Sequence, residues 1–299
     1  MKKFISLLMT AVLILGVLSG CDKNKNEVNS FSEECLTVYF FDVGQADSSL
    51  LLFPDGTVML VDAGNKSDGK EIAGFIENLG IDSIDYFVLT HPHEDHIGGA
   101  QDIFDRFEIS TVCMPDIDKA FEPDSAIYKN LLKAIEDEKC RSLALTANTL
   151  IFEKDDFNVT TVAPRKNSIY SNLNDWSLSL LVDCFTNTIL FTGDAEQPSE
   201  LDMLSLDVNL DADILQVGHH GSANSSTADF LNAVTPMVSV ISCGKGNTYG
   251  HPTDEALTRL ADCGSKIYRT DTVGTVIAKC YNGGFNIETS DEIELDGNR

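Results

Sequence analysis

The run SSLLLFPDGTVMLVDAG (48–64) has a counterpart in SLSLLVDCFTNTILFTGDA (177–195). Each reads as a strand, a tight turn and a second strand ending in an aspartate beside glycine or alanine. Both then continue through a helical segment and another strand to a histidine-bearing loop, at His91 and at His219. A chain that repeats this order of elements is restricted to two similar β-then-α halves. Packing the two sheets face to face buries their apolar faces and leaves the helices outside. The expected fold is therefore α/β, a four-layer αββα sandwich of two similar halves, with its site where the halves meet. At 299 residues and 43% hydrophobic, the chain is long and apolar enough to bury such a core.

Periodicity predicts helices over 70–79, 100–107, 125–137, 198–206, 228–234 and 255–261. Strand-like runs lie between them, among them SLALTANTLIF (142–152), and a hairpin around Asn282-Gly283-Gly284 closes the pattern.

The first twenty residues follow a different logic. Lys2 and Lys3 precede an apolar run and small residues, the layout of a secretory signal peptide over 1–20. The stretch from Phe4 to Leu18 is shorter than the roughly 20 residues of a membrane-spanning helix. Leu18-Ser19-Gly20-Cys21 resembles the bacterial lipobox, so Cys21 is expected to carry lipid and hold the chain at the extracellular face of the cell membrane, the alternative being secretion. Residues 21–35 read as a polar tether, 36–290 as the folded domain and 291–299 as an acidic tail.

Loss of Lys2 and Lys3 takes the 21 basic side chains to 19 against 47 acidic ones, a net charge of −28. That balance opposes non-specific attraction to nucleic acid or to an anionic membrane. From Val217 to Cys280, however, five basic residues match five acidic ones, so this segment is locally neutral. Besides Cys21 there are seven cysteines and no C-x-x-C pair, which argues against a disulfide framework and against a cysteine zinc site.

All six histidines fall in three glycine-flanked loops: His91, His93 and His96 in THPHEDHIGG, His219 and His220 in VGHHGS, and His251 in TYGHP. Within H-x-H-x-D-H, neighbouring side chains can diverge towards two adjacent points. His91 and His93 can hold one divalent ion while Asp95 and His96 hold another, with imidazole and carboxylate suited to Zn²⁺ or Mn²⁺. Two such ions need a shared anionic ligand. Asp194 is the natural bridge, because Gly193 permits close backbone approach, and His219 would complete the second ion's shell as a ligand.

With these motifs in place the chain resembles the metallo-β-lactamase superfamily. FFDVGQADSSLL (40–51), LVDAG, LTHPHEDHIGGA, LFTGDAE, VGHHGSANSS and NTYGHP are similar to the extracellular hydrolase domain of the ComEC family of DNA-uptake channels. The resemblance implies the αββα sandwich and a two-metal hydrolase over 36–290, in a stand-alone form. Many members carry a further histidine before the bridging aspartate. Here no histidine lies between Ile97 and Gly193, and NLNDWSLSL (172–180) stands there instead, with Asp175, Asn174 or a water to fill the gap.

The mechanism implied is hydrolysis by a metal-bridging hydroxide that Asp95 orients. His220, His251 and Lys245 are candidates for holding the substrate anion or protonating the leaving oxygen, His220 equally for a supporting hydrogen bond. Ser222 and Asn247 can bind an anionic oxygen or satisfy their own turns. The leading expectation is an anionic phosphodiester substrate, DNA included. A small cell-surface ester and a non-catalytic metal-binding module are the alternatives. No protein partner is indicated.

Overall fold

The computed structural model describes residues 35–290. The signal segment, Cys21, the tether up to residue 34 and the acidic tail lie outside the described residues.

Strands β1 (Leu36–Phe40), β2 (Ser49–Leu52), β3 (Val58–Val61), β4 (Ser83–Val88), β5 (Glu108–Pro115) and β6 (Arg141–Leu145) build most of the first sheet. The second comprises β7 (Leu150–Lys154), β8 (Phe157–Ala163), β9 (Ser179–Cys184), β10 (Asn187–Phe191), β11 (Ile214–Gln216), β12 (Val238–Ile241) and β13 (Lys266–Arg269). The chain then returns through β14 (Thr275–Tyr281) and β15 (Gly284–Ser290), giving the orders β15-β14-β1-β2-β3-β4-β5-β6 and β13-β12-β11-β10-β9-β8-β7.

The internal repeat is visible in the pairing. β2 and β3 are antiparallel and β4 then adds parallel to β3, just as β9 and β10 are antiparallel and β11 adds parallel to β10. The crossovers are helical: α1 (Gly69–Asn78), α2 (Glu94–Ile97), α3 (Ala100–Phe104) and α4 (Ala126–Glu138) serve the first half. α5 (Gln197–Leu204), α6 (Ala228–Val234), α7 (Asp254–Asp262) and the short α8 (Thr270–Val273) serve the second.

Both faces of each sheet are covered, so alternate residues of one strand enter different cores. Leu50, Leu52 and Leu60 pack under α1 and α4 with Ile72, Ile76 and Leu131, while Leu51, Met59 and Val61 face the other sheet. Across the sandwich Val182, Ile189 and Phe191 meet them, and Leu181 and Leu190 turn outward to Met203, Phe230 and Leu260. The result is the expected helix–sheet–sheet–helix order.

SLALTANTLIF does not form a single strand. It leaves the first sheet at Leu145 and joins the opposite edge of the second at Leu150. Asn148 turns the chain with φ of 64°, and the Ala147 N–H donates to the Pro164 carbonyl at 2.7 Å. Alternation of apolar residues continues through this corner, which is why the sequence does not mark it. Among the described residues no cysteine is in a disulfide. Also among them, no helix is long and apolar enough to cross a membrane.

A buried carboxylate fixes the loop behind the second half. Glu200 of α5 accepts hydrogen bonds from the backbone N–H groups of Ser226 and Thr227 and from Thr227 Oγ1. Thr227 in turn caps α6. Glu200→Ala would leave those N–H groups buried and unpaired, so a loss of about 2–4 kcal/mol is expected in denaturant unfolding, with Glu200→Gln costing less.

Candidate metal centre

The two halves place their loops at one edge of the sandwich. β4 ends at Val88 and leads directly into Thr90-His91, and α2 begins inside the motif at Glu94, so His96 is carried on its last turn. From the other half, β10 delivers Gly193-Asp194 and β11 delivers His219 and His220, both with left-handed backbone (φ 49° and 53°). Gly193 also has positive φ, and a Cβ there would lie 2.9 Å from Thr90 Cβ. Glycine is thus what lets the Asp194 turn press against the histidine loop. Ser177 joins the two turns: its Oγ accepts from the Asp194 N–H at 3.0 Å and stands 3.4 Å from His91 Nδ1.

Asp194 is the centre of the arrangement, its two carboxylate oxygens serving different neighbours. Oδ1 lies 3.3 Å from His96 Nε2 and 3.8 Å from His220 Nε2. Oδ2 lies 3.7 Å from His91 Nε2 and 3.8 Å from His219 Nε2. Two groups of potential ligand atoms result, each within 4.8 Å: Asp47, His96, Asp194 and His220, and His91, His93 and Asp194. A divalent ion fits here on physical grounds. Asp47 Oδ1, His96 Nε2 and Asp194 Oδ1 are buried without a hydrogen-bond partner, which is costly unless a cation satisfies them.

The electrostatics point the same way. Burial opposes charge on His220, yet Asp194, Asp95 and Asp47 raise its pKa to about 9. Burial likewise opposes a charged His96, and Asp194 and Asp62 outweigh it, raising the imidazole well above its usual range. Burial raises Asp47 to about 6 although His220 and His96 pull it down. This excess of buried carboxylate demands positive charge, and among the described residues no lysine or arginine lines the cleft.

A supporting layer orients the ligands. Asp62, which ends β3 as Asp194 ends β10, accepts from His96 Nδ1 at 2.7 Å and from the Thr90 N–H and Oγ1, both at 2.7 Å. His220 Nδ1 donates to the Ser242 carbonyl at 2.9 Å, which directs Nε2 into the cluster. Asp62→Asn keeps a residue that tolerates the left-handed backbone there (φ 59°) but weakens the hold on His96. Divalent-ion affinity is expected to fall about 10–100-fold in a chelator-competition titration, at unchanged circular dichroism.

The sequence-derived candidates separate as follows. His91, His93, His96 and Asp194 come together as anticipated. Asp95, expected beside His96 on the second ion, is in neither ligand group; its Oδ2 faces His220 Nε2 at 3.3 Å, and although burial opposes charge there, His220 and His96 together hold the carboxyl well below its usual range. Asp47 occupies that corner instead. His219, expected to complete the second ion's shell, lies outside both groups with its Nε2 3.8 Å from Asp194 Oδ2, while His220 stands in the group of Asp47 and His96. His219 Nδ1 donates to Glu196 Oε1 at 2.9 Å, and the ring packs edge-to-face on His251 at 5.2 Å.

In the stretch that lacks the middle histidine, Asn174 faces the cleft with Oδ1 buried and unpartnered. Asp175 is turned away, accepting from the Glu196 N–H at 3.2 Å at the start of α5. Asn247 spends its amide on its own loop: Oδ1 accepts from the N–H groups of Tyr249 and His251, both at 3.1 Å, and Nδ2 donates to the Gly244 carbonyl at 2.9 Å. Ser222 Oγ accepts from the Asn224 N–H at 3.2 Å, again a turn satisfying itself. Lys245 is exposed and is not among the residues lining the cleft, whereas His251 is.

Asp47, Asp62 and Glu196 are the site residues that sequence reasoning did not nominate. Asp47 and Asp62 lie inside motifs already conspicuous, DVGQADSS and LVDAG, each an aspartate just beyond or before an apolar strand.

Residues 41–245 match the family described as the metallo-beta-lactamase superfamily. Among curated proteins, ComE operon protein 3 of Bacillus subtilis (strain 168) is 29% identical over 282 residues, covering 87% of this chain and 36% of that protein. Competence protein ComA of Neisseria gonorrhoeae is 29% identical over 276 residues, covering 90% of this chain and 35% of the relative. The chain therefore spans about a third of the length of these relatives. Among solved structures, the E377D mutant of CmlA beta-hydroxylase aligns with a TM-score of 0.51 at 14% identity, covering 86% of this chain and 55% of that one. This last likeness concerns the fold alone.

Proposed function

Because the chain belongs to the metallo-β-lactamase superfamily, we propose that this metal-dependent hydrolase cleaves phosphodiesters outside the cell membrane. The observation that carries the reading is the division of Asp194, one carboxylate oxygen towards each ligand group. His91, His93 and Asp194 would hold one ion, and Asp47, His96, Asp194 and His220 the other; mixed imidazole and carboxylate donors suit Zn²⁺ or Mn²⁺. Two bound divalent ions supply Lewis acidity and lower the pKa of water from about 15.7 towards 7.

The chain's own residues do the rest. Asp95, partly exposed at the cleft with its Oδ2 3.3 Å from His220 Nε2, would orient the attacking oxygen. His219 and His251 line the same cleft and offer imidazole N–H donors to a phosphate oxygen. A cleft of about 310 Å³ admits a phosphate with its immediate substituents. The name of the ComA relative, which refers to competence, supports a phosphodiester over a carbonyl ester. Purified protein loaded with Mn²⁺ or Zn²⁺ should cleave single-stranded DNA or bis(p-nitrophenyl) phosphate in preference to carboxylic esters and β-lactams. If both phosphodiesters stay intact, the reading fails.

Lipid attachment at Cys21 would tether the domain to the outer face of the membrane. Incorporation of labelled palmitate that persists in Cys21→Ser would exclude it.

A further inference from the structure

Six large apolar or aromatic side chains are markedly exposed among the described residues, and of these Tyr249 alone lines the catalytic cleft. At 73% exposure it is also the most exposed of them. Chance does not explain its position, because the loop that carries it is tied down. Asn247 accepts from the Tyr249 and His251 N–H groups and donates to the carbonyls of Gly244 and His251. The ring lies on the His251 imidazole with centroids 6.0 Å apart and planes 27° from parallel, so it is backed on one side and open to solvent elsewhere. An aromatic ring on an anchored loop, stacked against His251 and otherwise open at the lip of a site, is a surface for another planar ring.

We propose that Tyr249 is a stacking platform for a nucleobase flanking the scissile phosphodiester. The inference rests on the phosphodiesterase reading and narrows its substrate class to nucleotides with an unpaired base. Two further observations favour this class. Among the described residues no lysine or arginine lines the cleft, and the chain carries a net charge of −26, so successive phosphates add little to binding. Affinity for groups beyond the reacting phosphate must then come from contacts other than charge, and stacking on a tyrosine face is the contact this lip provides. A cleft of about 310 Å³ would take the phosphate and its neighbouring sugar atoms, leaving the base at the rim where Tyr249 stands. Duplex DNA, whose bases are already stacked, gains nothing from such a surface.

The test uses the full chain with Mn²⁺ and a dinucleotide bearing 2-aminopurine beside a non-hydrolysable methylphosphonate link. Wild type and Tyr249→Phe should quench the 2-aminopurine fluorescence, and Tyr249→Ala should weaken that binding about tenfold. In kinetics, Tyr249→Ala should reduce the preference for a base-bearing over an abasic dinucleotide by a similar factor, read mainly in KM. Equal quenching by wild type and Tyr249→Ala overturns the proposal, as does stronger Tyr249-dependent binding of a choline-bearing diester, which would make the ring a cation site. Tyr249-dependent quenching without hydrolysis of the cleavable dinucleotide supports the platform and refutes the phosphodiesterase reading, so the two failures are distinguishable.

Discussion

Asp194→Asn should lower kcat/KM for a phosphodiester by about 1000-fold and reduce the metal content measured by plasma emission spectrometry. The reasoning is geometric. Each oxygen of Asp194 faces a different ligand group, at 3.3 Å from His96 and 3.7 Å from His91. Asparagine keeps one acceptor and replaces the other with an NH₂ group, so one ion would meet a donor where it needs a ligand. Removing several kcal/mol of charge stabilisation corresponds to about three orders of magnitude, since each ~1.4 kcal/mol is tenfold. The paired variants His220→Ala and His219→Ala sharpen the assignment. His220→Ala should lose bound metal along with activity, whereas His219→Ala should lose activity while retaining metal, because His219 lies outside both ligand groups. Retention of full activity by Asp194→Asn would remove the bridging role altogether.

Gly99→Ala should destabilise the protein by about 3 kcal/mol or more, a fall in melting temperature of roughly 6–12 °C by differential scanning calorimetry. A Cβ at this position would stand 2.2 Å from the Ala63 carbonyl oxygen and 2.6 Å from Gly69 Cα. Both are backbone atoms, and neither can swing aside as a side chain would. The strand-end turn after β3, the start of α1 and the start of α3 meet at this glycine, so separating them displaces α2 and with it His96. Gly98 is as tightly enclosed, its added Cβ meeting Lys66 N at 2.3 Å and Glu94 O at 2.5 Å. The two glycines that close THPHEDHIGG are therefore as much a part of the site as its histidines. A melting temperature unchanged in Gly99→Ala would show that this junction can relax.

What could be read from the sequence was what is written locally. The repeat of strand, turn and strand ending in aspartate translates into matching sheet orders, and the clustering of His91, His93 and His96 is a property of six consecutive residues. What could not be read depends on direction. His219 and His220 are adjacent and chemically identical, and which one enters the cluster follows from two consecutive left-handed residues that turn the second inward. Asp47 joins His220 across the sandwich, a contact between residues far apart in the chain that no spacing encodes. Asn247 and Ser222 have the right chemistry for an anion, but their own loops use it up. The corner at Asn148 was hidden for a related reason, since apolar alternation says which residues are buried and not in which sheet.

Asp47, His91, His93 and His96 belong to loops of the first sheet, and Asp194 and His220 to loops of the second. Besides a few hydrogen bonds, such as Leu178 N–H to the Thr90 carbonyl at 2.8 Å and Gln216 Nε2 to Asp47 Oδ2 at 3.4 Å, the two sheets meet through apolar side chains. Ions held by both sets would act as a latch, and their binding energy would appear as resistance of the sheets to parting, about 4 kcal/mol at a free concentration a thousand times the dissociation constant. In a compartment where the supply of divalent ions varies, the durability of the folded chain would then rise and fall with the same resource that arms its chemistry.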